Sequence, residues 1–198
     1  MASISYIRTI ELEKLMKYAT NYFEKGNELL AKKRYEEAIL HYEKDLKNGK
    51  FSTRYKVMYN MGIAYDHLGK HKKAVKCYEE VIKDKNYPTP YKALNNMGNS
   101  YYRLGQYNKS IKCYEDALSD ENYLSPGNTW FNMGLIYNQL KRYDKAIECY
   151  EKAMEDKKHI SLPNIWNEWT KAYNKIGQLD KGPACLPEEG MIKKTSYS

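Results

Sequence analysis

The chain has 198 residues, 42% hydrophobic and 29% charged, which excludes an intrinsically disordered protein and is typical of a globular domain or a short repeat array. The N-terminal stretch MASISYIRTIELEKLMK has no uninterrupted apolar segment, and no run approaches about 18 apolar residues, so we expect neither a signal peptide nor a membrane span. The formal net charge of +8 permits an acidic partner without requiring one.

The triplet NMG recurs at residues 60–62, 96–98 and 132–134, at a constant interval of 36 residues. The same interval leads back to Gly26 and forward to Thr170. A fixed period between about 20 and 50 residues indicates repeat architecture. The sequence therefore predicts repeats at about 19–54, 55–90, 91–126 and 127–162, with a partial fifth at 163–185.

Each copy shows the apolar pattern of two consecutive amphipathic helices. In the second copy these positions are Met58, Met61, Gly62 and Tyr65, followed by Ala74, Tyr78 and Ile82. Glycine inside a helix costs about 1 kcal/mol relative to alanine, so its return in every full copy predicts a close approach of the second helix. We expect the small residues Ala38, Ala74 and Ala146 to lie opposite these glycines.

Turn residues obey the same period. Gly69 and Gly105 are predicted to end first helices. Thr89-Pro90 and Ser125-Pro126 are each predicted to supply an N-cap followed by proline at the first helical position.

The fourth copy carries the most specific pattern, which consists of Trp130, Met133, Gly134, Tyr137, Ala146 and Tyr150. Its spacing resembles the tetratricopeptide repeat (TPR) motif W-x2-L-G-x2-Y followed by A-x3-F, with Met for Leu and Tyr for Phe. The resemblance covers roughly residues 18–181. It implies an all-α, right-handed superhelical solenoid of antiparallel helix pairs, about four full repeats plus a partial fifth. The period exceeds the common 34 residues, and we expect the extra residues in the loops KDKNYPTPY and SDENYLSPG.

The two ends depart from the pattern. Gly182, Pro183 and Pro187 oppose a second helix in the fifth copy, because proline inside a helix costs about 3 kcal/mol or more. We predict an N-terminal extension or cap at 1–17, a TPR domain at 18–185 and a flexible tail at 186–198.

The cysteines follow the repeat as well. Cys77, Cys113, Cys149 and Cys185 are 36 residues apart, and helices at the usual spacing would keep their Cα atoms beyond the ~7 Å that a disulfide requires. No cysteine or histidine spacing matches a zinc site, and no nucleotide-binding or hydrolase motif is present. The sequence therefore predicts a non-enzymatic protein of the reducing cytoplasm, with buried thiols, no cofactor and no metal.

A second, polar stripe follows the first helices. In the third copy it consists of Lys92, Asn96, Asn99 and Arg103, and Asn60, Asn96 and Asn132 occupy one position in successive copies. In TPR proteins the first helices line the concave face, so the resemblance implies an asparagine ladder along a groove. Carboxamides both donate and accept, which suits the backbone of an extended peptide. The predicted peptide-binding residues are Asn27, Lys56, Tyr59, Asn60, Lys92, Asn96, Asn99, Arg103, Phe131 and Asn132, with Phe23 and Tyr102 beside them.

The predicted function is a protein–protein interaction adapter, and its partner a protein that offers an extended peptide of some acidic character. A co-chaperone-like carboxylate clamp is an alternative: Asn27, Asn60 and Lys92 fit it, but Phe23 and Asn96 stand where lysine and arginine are required.

The sequence also permits three other interpretations: a stripe that binds no ligand, RNA binding, and self-association. The asparagines could be solvated, and the aromatic residues could pack within the repeats. RNA binding is not favoured, because the lysines of the second helices alternate with carboxylates. Self-association would follow if the incomplete fifth copy exposed Trp166 and Trp169.

Overall fold

The computed structural model describes residues 22–48, 54–156 and 162–178. All regular secondary structure in these ranges is helical, which confirms the predicted all-α fold of paired helices. The chain divides into two compact units, Met1–Pro88 and Thr89–Ser198. This division falls beside the predicted boundary between the second and third repeats. The predicted cap at 1–17, the tail at 186–198, and Gly182, Pro183, Cys185 and Pro187 lie outside the described residues.

The first unit contains two helix pairs in the described ranges. Its helices are α1 (Tyr22–Ala31), α2 (Tyr35–Lys47), α3 (Arg54–His67) and α4 (His71–Lys83). Helix α1 packs against α2, α3 packs against α4, and α2 also contacts α3. The first helices of this unit, α1 and α3, are the ones that carry the predicted polar stripe.

The second unit contains two pairs and a further first helix. Its helices are α5 (Pro90–Arg103), α6 (Tyr107–Leu118), α7 (Gly127–Gln139), α8 (Tyr143–Glu155) and α9 (Leu162–Lys175). Helix α5 packs against α6, α7 against α8, and α9 against α8. No helix in the described part of the chain combines the length and the apolar character that a membrane crossing requires.

The first helices end at a residue in the left-handed backbone region. The predicted glycines Gly69 (φ 69°) and Gly105 (φ 70°) are confirmed in this role, and Gly177 (φ 77°) repeats it. After Gly69, the N–H of Lys70 donates to the carbonyl of Tyr65, the hydrogen bond of a Schellman motif. Lys33 (φ 59°) and Lys141 (φ 56°) adopt the same conformation without being glycine.

The glycines inside the first helices lie under buried tyrosine rings. A Cβ added to Gly62 would stand 2.6 Å from Cε1 of Tyr78, and one added to Gly98 would stand 2.5 Å from Cε1 of Tyr114. The close approach is confirmed, and the group over each glycine is a tyrosine of the second helix, which the sequence prediction did not name. The same relationship recurs at Gly26 and Gly134. Ser110, at the position of the expected small residues, donates from Oγ to the carbonyl of Gly98 at 2.6 Å.

The loops between repeats carry a tyrosine back onto the helix that opens the same repeat. Tyr87 packs against Tyr55 and Tyr59, with ring centroids 5.5 and 5.9 Å apart. Tyr123 stacks on Tyr91 at 4.5 Å. Long inter-repeat loops thus add aromatic packing to the repeat that they leave.

The start of α7 differs from the sequence prediction. Thr89 is the N-cap of α5 and Pro90 its first residue, as expected, but Pro126 is itself the N-cap of α7. The cause is Asp156, whose Oδ2 accepts hydrogen bonds from Oγ of Ser125 (2.6 Å) and from the N–H of Gly127 (3.0 Å). A carboxylate from about 30 residues downstream therefore caps this helix.

The described cysteines are packing residues, as predicted. Cys77, Cys113 and Cys149 are buried, and no disulfide joins them. Burial raises the pKa of Cys77 and of Cys149 to about 12, so both thiols stay protonated at neutral pH.

The expectation that Trp169 is exposed is wrong. Its side chain is 8% exposed, and its ring contacts Tyr173 edge-on at 4.8 Å. The indole Nε1 lies 3.4 Å from Oε1 of Glu151 on α8. Packing of α9 against α8 covers this tryptophan, whereas Trp166 is half-buried.

Candidate peptide-binding face

The three asparagines of the predicted ladder lie on α3, α5 and α7. Asn60, Asn96 and Asn132 occupy equivalent positions on these helices, and all three are half-buried. The same position is Glu24 on α1 and Glu168 on α9. This one position of the stripe is therefore uncharged in the three central repeats and acidic in the first and fifth.

In the first unit, two asparagines form a directly bonded pair. Nδ2 of Asn60 on α3 donates to Oδ1 of Asn27 on α1 at 2.8 Å. The hydroxyl of Tyr42 donates to the same oxygen at 2.9 Å. Burial raises the pKa of Tyr42 to about 12, so its hydroxyl remains a donor. Both bonds end on Oδ1 of Asn27 and fix the orientation of its carboxamide, whose Nδ2 takes part in neither.

The second unit repeats this arrangement 72 residues later. Nδ2 of Asn132 on α7 donates to Oδ1 of Asn99 on α5 at 3.1 Å, and the hydroxyl of Tyr114 donates to that oxygen at 2.6 Å. Burial raises the pKa of Tyr114 above its ordinary value, which keeps this donor protonated as well. We call Asn27–Asn60 and Asn99–Asn132 the asparagine pairs.

The pairs alternate with apolar positions. Ile63 and Leu135 stand where Asn27 and Asn99 stand in the preceding repeat of each unit. Asn60 and Asn132 each bond to an asparagine that lies 33 residues earlier in the chain. At the same distance before Asn96 the chain has Ile63, which cannot accept this bond. The recurrence of NMG does not reveal this alternation, because the triplet is identical in all three copies.

The second-helix tyrosines consequently differ in their partners. The Tyr78 hydroxyl donates to Oδ2 of Asp66 at 3.0 Å, and the other carboxylate oxygen lies 3.0 Å from Nδ1 of His71. The Tyr150 hydroxyl is buried and has no hydrogen-bond partner within the described ranges. Repeats that lack the accepting asparagine thus satisfy their tyrosine elsewhere or leave it unsatisfied.

A further polar network in the second unit was missed from the sequence. Oγ1 of Thr129, which is fully buried, donates to Oδ1 of Asn95 at 3.0 Å and is bonded to the Tyr123 hydroxyl. It ties the inter-repeat loop to α5 and α7. Threonine and asparagine about 34 residues apart match no local capping or turn motif, so the sequence offers no signal of this role.

The predicted cations of the stripe are exposed. Lys56, Lys92 and Arg103 have no carboxylate within ion-pairing distance in the part of the chain that the structure describes. The Nζ atoms of the two lysines and Cζ of the arginine each lie 5.9 to 6.0 Å from the ring centroid of an adjacent tyrosine. By contrast, Lys25, Lys83 and Lys112 are paired with carboxylates on their own helices.

The predicted aromatic residues beside the stripe pack onto the core tyrosines. Phe23 contacts Tyr42 at 6.2 Å, and Phe131 contacts Tyr150 at 5.9 Å. Tyr59 is placed in the same way, 6.0 Å from Tyr78. All three are half-buried, so they form the walls beside the asparagine positions while stabilising the repeat.

Comparisons with known proteins agree with this geometry. Family models described as tetratricopeptide repeat match residues 19–46, 55–83 and 91–158. No curated protein matches the sequence significantly. Among solved structures, a crystal structure of the MamA protein is 21% identical, covers 82% of this chain and 85% of that one, and has a TM-score of 0.70.

Two further structures are similar at comparable levels. MamA from Desulfovibrio magneticus RS-1 is 19% identical over 81% of this chain and 86% of that one, with a TM-score of 0.70. Pseudomonas aeruginosa pilF is 20% identical over 79% and 68%, with a TM-score of 0.67. At these identities the likeness shows the fold. Together with three family models that match well over half of its length, it shows that the chain belongs to the tetratricopeptide repeat family, whose members are typically non-enzymatic scaffolds for protein interactions.

Proposed function

We propose that the protein is an adapter that binds an extended, partly acidic peptide segment of a partner protein along the stripe on its first helices. The observation that supports this most directly is the orientation of the asparagine pairs. The proposed site of action is the cytoplasm, in keeping with buried cysteines that form no disulfide with one another.

The pairs can recognise a peptide backbone. Within the described residues, Nδ2 of Asn27 has no hydrogen-bond acceptor, and Oδ1 of Asn60 has no donor. A half-buried donor and acceptor beside each other match the alternating N–H and C=O groups of an extended chain. Each bond adds about 0.5–1.5 kcal/mol, so affinity requires further contacts.

The further contacts are electrostatic. Lys56 on α3, and Lys92 and Arg103 on α5, are exposed cations that no carboxylate of the described chain neutralises. Charge-assisted hydrogen bonds are roughly twice as strong as neutral ones. Carboxylate side chains on the ligand would satisfy these cations, which is why we propose an acidic peptide.

The test is a pull-down from lysate with the Lys56→Glu/Lys92→Glu variant. Its matched control is Lys76→Glu/Lys109→Glu, which makes the same charge change at exposed lysines of the second helices α4 and α6. We expect the stripe variant to lose its partner while the control retains it. Loss in both variants together with a steep salt dependence would instead indicate nucleic acid. Retention in both would refute the stripe as the binding surface.

The triple variant Asn60→Ala/Asn96→Ala/Asn132→Ala provides a second test of the stripe. Because Asn60 and Asn132 also bond to Asn27 and Asn99, its helicity and unfolding midpoint must first match those of the wild type. We expect the partner to be lost. Since Trp169 is buried, self-association through that residue is not proposed.

A further inference from the structure

The two asparagine pairs are complete within their own units. Both members of Asn27–Asn60 belong to the first unit, and both members of Asn99–Asn132 belong to the second. In each pair a tyrosine of the intervening second helix orients the first carboxamide. Neither pair requires a residue of the other unit to hold its geometry.

The apolar positions separate the pairs along the stripe. A continuous ladder would repeat the asparagine bond every 36 residues, but Ile63 and Leu135 replace the accepting residue in alternate repeats. The bonded carboxamides therefore recur every 72 residues. The unit that forms one hydrogen-bonded asparagine pair is therefore two consecutive repeats, not one.

Each unit also has its own cation beside its pair. Lys56 lies one helical turn before Asn60 in the first unit, and Arg103 lies one turn after Asn99 in the second. Both are exposed and lack an ion pair among the described residues. An acidic extended peptide would find an oriented donor, an acceptor and a positive charge in either unit.

We propose that the protein is bivalent: each unit independently binds one acidic, extended peptide segment at its asparagine pair. This inference rests on the proposed function and adds its stoichiometry. The partner would then present the same short segment twice, or two partner molecules would be held on one chain. Two linked sites raise the apparent affinity for a partner that carries the segment twice, without any new kind of contact.

The test uses the full chain and a defined probe, the acetylated and amidated hexapeptide Gly-Glu-Gly-Glu-Gly-Glu. Nitrogen-15 NMR follows the side-chain NH2 signals of Asn27, Asn60, Asn99 and Asn132, assigned through single Asn→Ser variants. We expect the signals of both pairs to shift on titration. The titration is repeated with Lys56→Glu and with Arg103→Glu, which leave the asparagine bonds intact.

Independent sites predict a local effect of each variant. Lys56→Glu should weaken binding at Asn27–Asn60 by about tenfold, as expected for the loss of one charge-assisted contact, and leave Asn99–Asn132 within about twofold. Arg103→Glu should do the reverse. If either variant weakened both pairs equally, or if one pair never shifted, bivalency would be refuted while the proposed function stood. If neither pair shifted in the wild type, both proposals would fall.

Discussion

The Tyr114 hydroxyl donates a 2.6 Å hydrogen bond to Oδ1 of Asn99, whereas the equivalent hydroxyl of Tyr150 is buried without a partner in the described part of the chain. The chain thus carries the same buried tyrosine in a satisfied and an unsatisfied form. We predict that Tyr114→Phe lowers the free energy of unfolding by about 0.5–1.5 kcal/mol, and that Tyr150→Phe is neutral or stabilising. Urea denaturation of both variants measures this, and an equal loss in the two would contradict it.

The glycines under the tyrosine rings give a second prediction. Gly98→Ala gains helix propensity, but its Cβ would stand 2.5 Å from the Tyr114 ring. Because overpacking typically costs about 1–3 kcal/mol, we expect net destabilisation. Urea denaturation of Gly98→Ala beside the wild type measures the difference. A Gly98→Ala variant at least as stable as the wild type would show that the ring shifts freely.

The turn residues with left-handed backbone give a third prediction, in which glycine is expected to stabilise the fold. Lys141 holds φ 56° at the position where three other repeats have glycine. Lys141→Gly should raise the free energy of unfolding by about 1 kcal/mol, because it removes the Cβ strain of this conformation. Lys145→Gly, inside α8, should lower it by a similar amount. Thermal unfolding of the two variants distinguishes them, and the argument fails if both are destabilised.

Alkaline pH should destabilise the fold. Burial raises the pKa of Cys77 and Cys149 from 9.0 to about 12, and that of Tyr42 from 10.0 to about 12. The unfolded chain loses these protons first, so the stabilisation is complete below about pH 9 and is lost as pH rises towards 12. Each group steepens the decline by up to about 1.4 kcal/mol per pH unit. The measurement is chemical denaturation at several pH values, and the Cys77→Ala/Cys149→Ala variant should show a shallower decline.

The repeats, the helix pairs and the glycine-ended turns could be predicted because each depends on residues close together in the sequence. The start of α7 could not, since its cap is Asp156. The Asn27–Asn60 bond joins residues 33 apart in the sequence. The alternation of bonded and unbonded repeats becomes visible only when Asn27 is compared with Ile63 at the same position of the next repeat. The burial of Trp169 could not be predicted either. It results from the packing of α9 on α8, and counting complete helix pairs in the sequence does not reveal that contact.

The alternation of asparagine with isoleucine and leucine also bears on how an array of near-identical modules assembles in the correct order. A half-buried carboxamide that finds its acceptor in the preceding repeat stabilises that neighbour over any module that offers an aliphatic side chain instead, as a buried asparagine does in a coiled coil. Repeat arrays are prone to mispairing between similar modules. Within each unit, the asparagine pair would then favour the correct neighbouring repeat over a mispaired one.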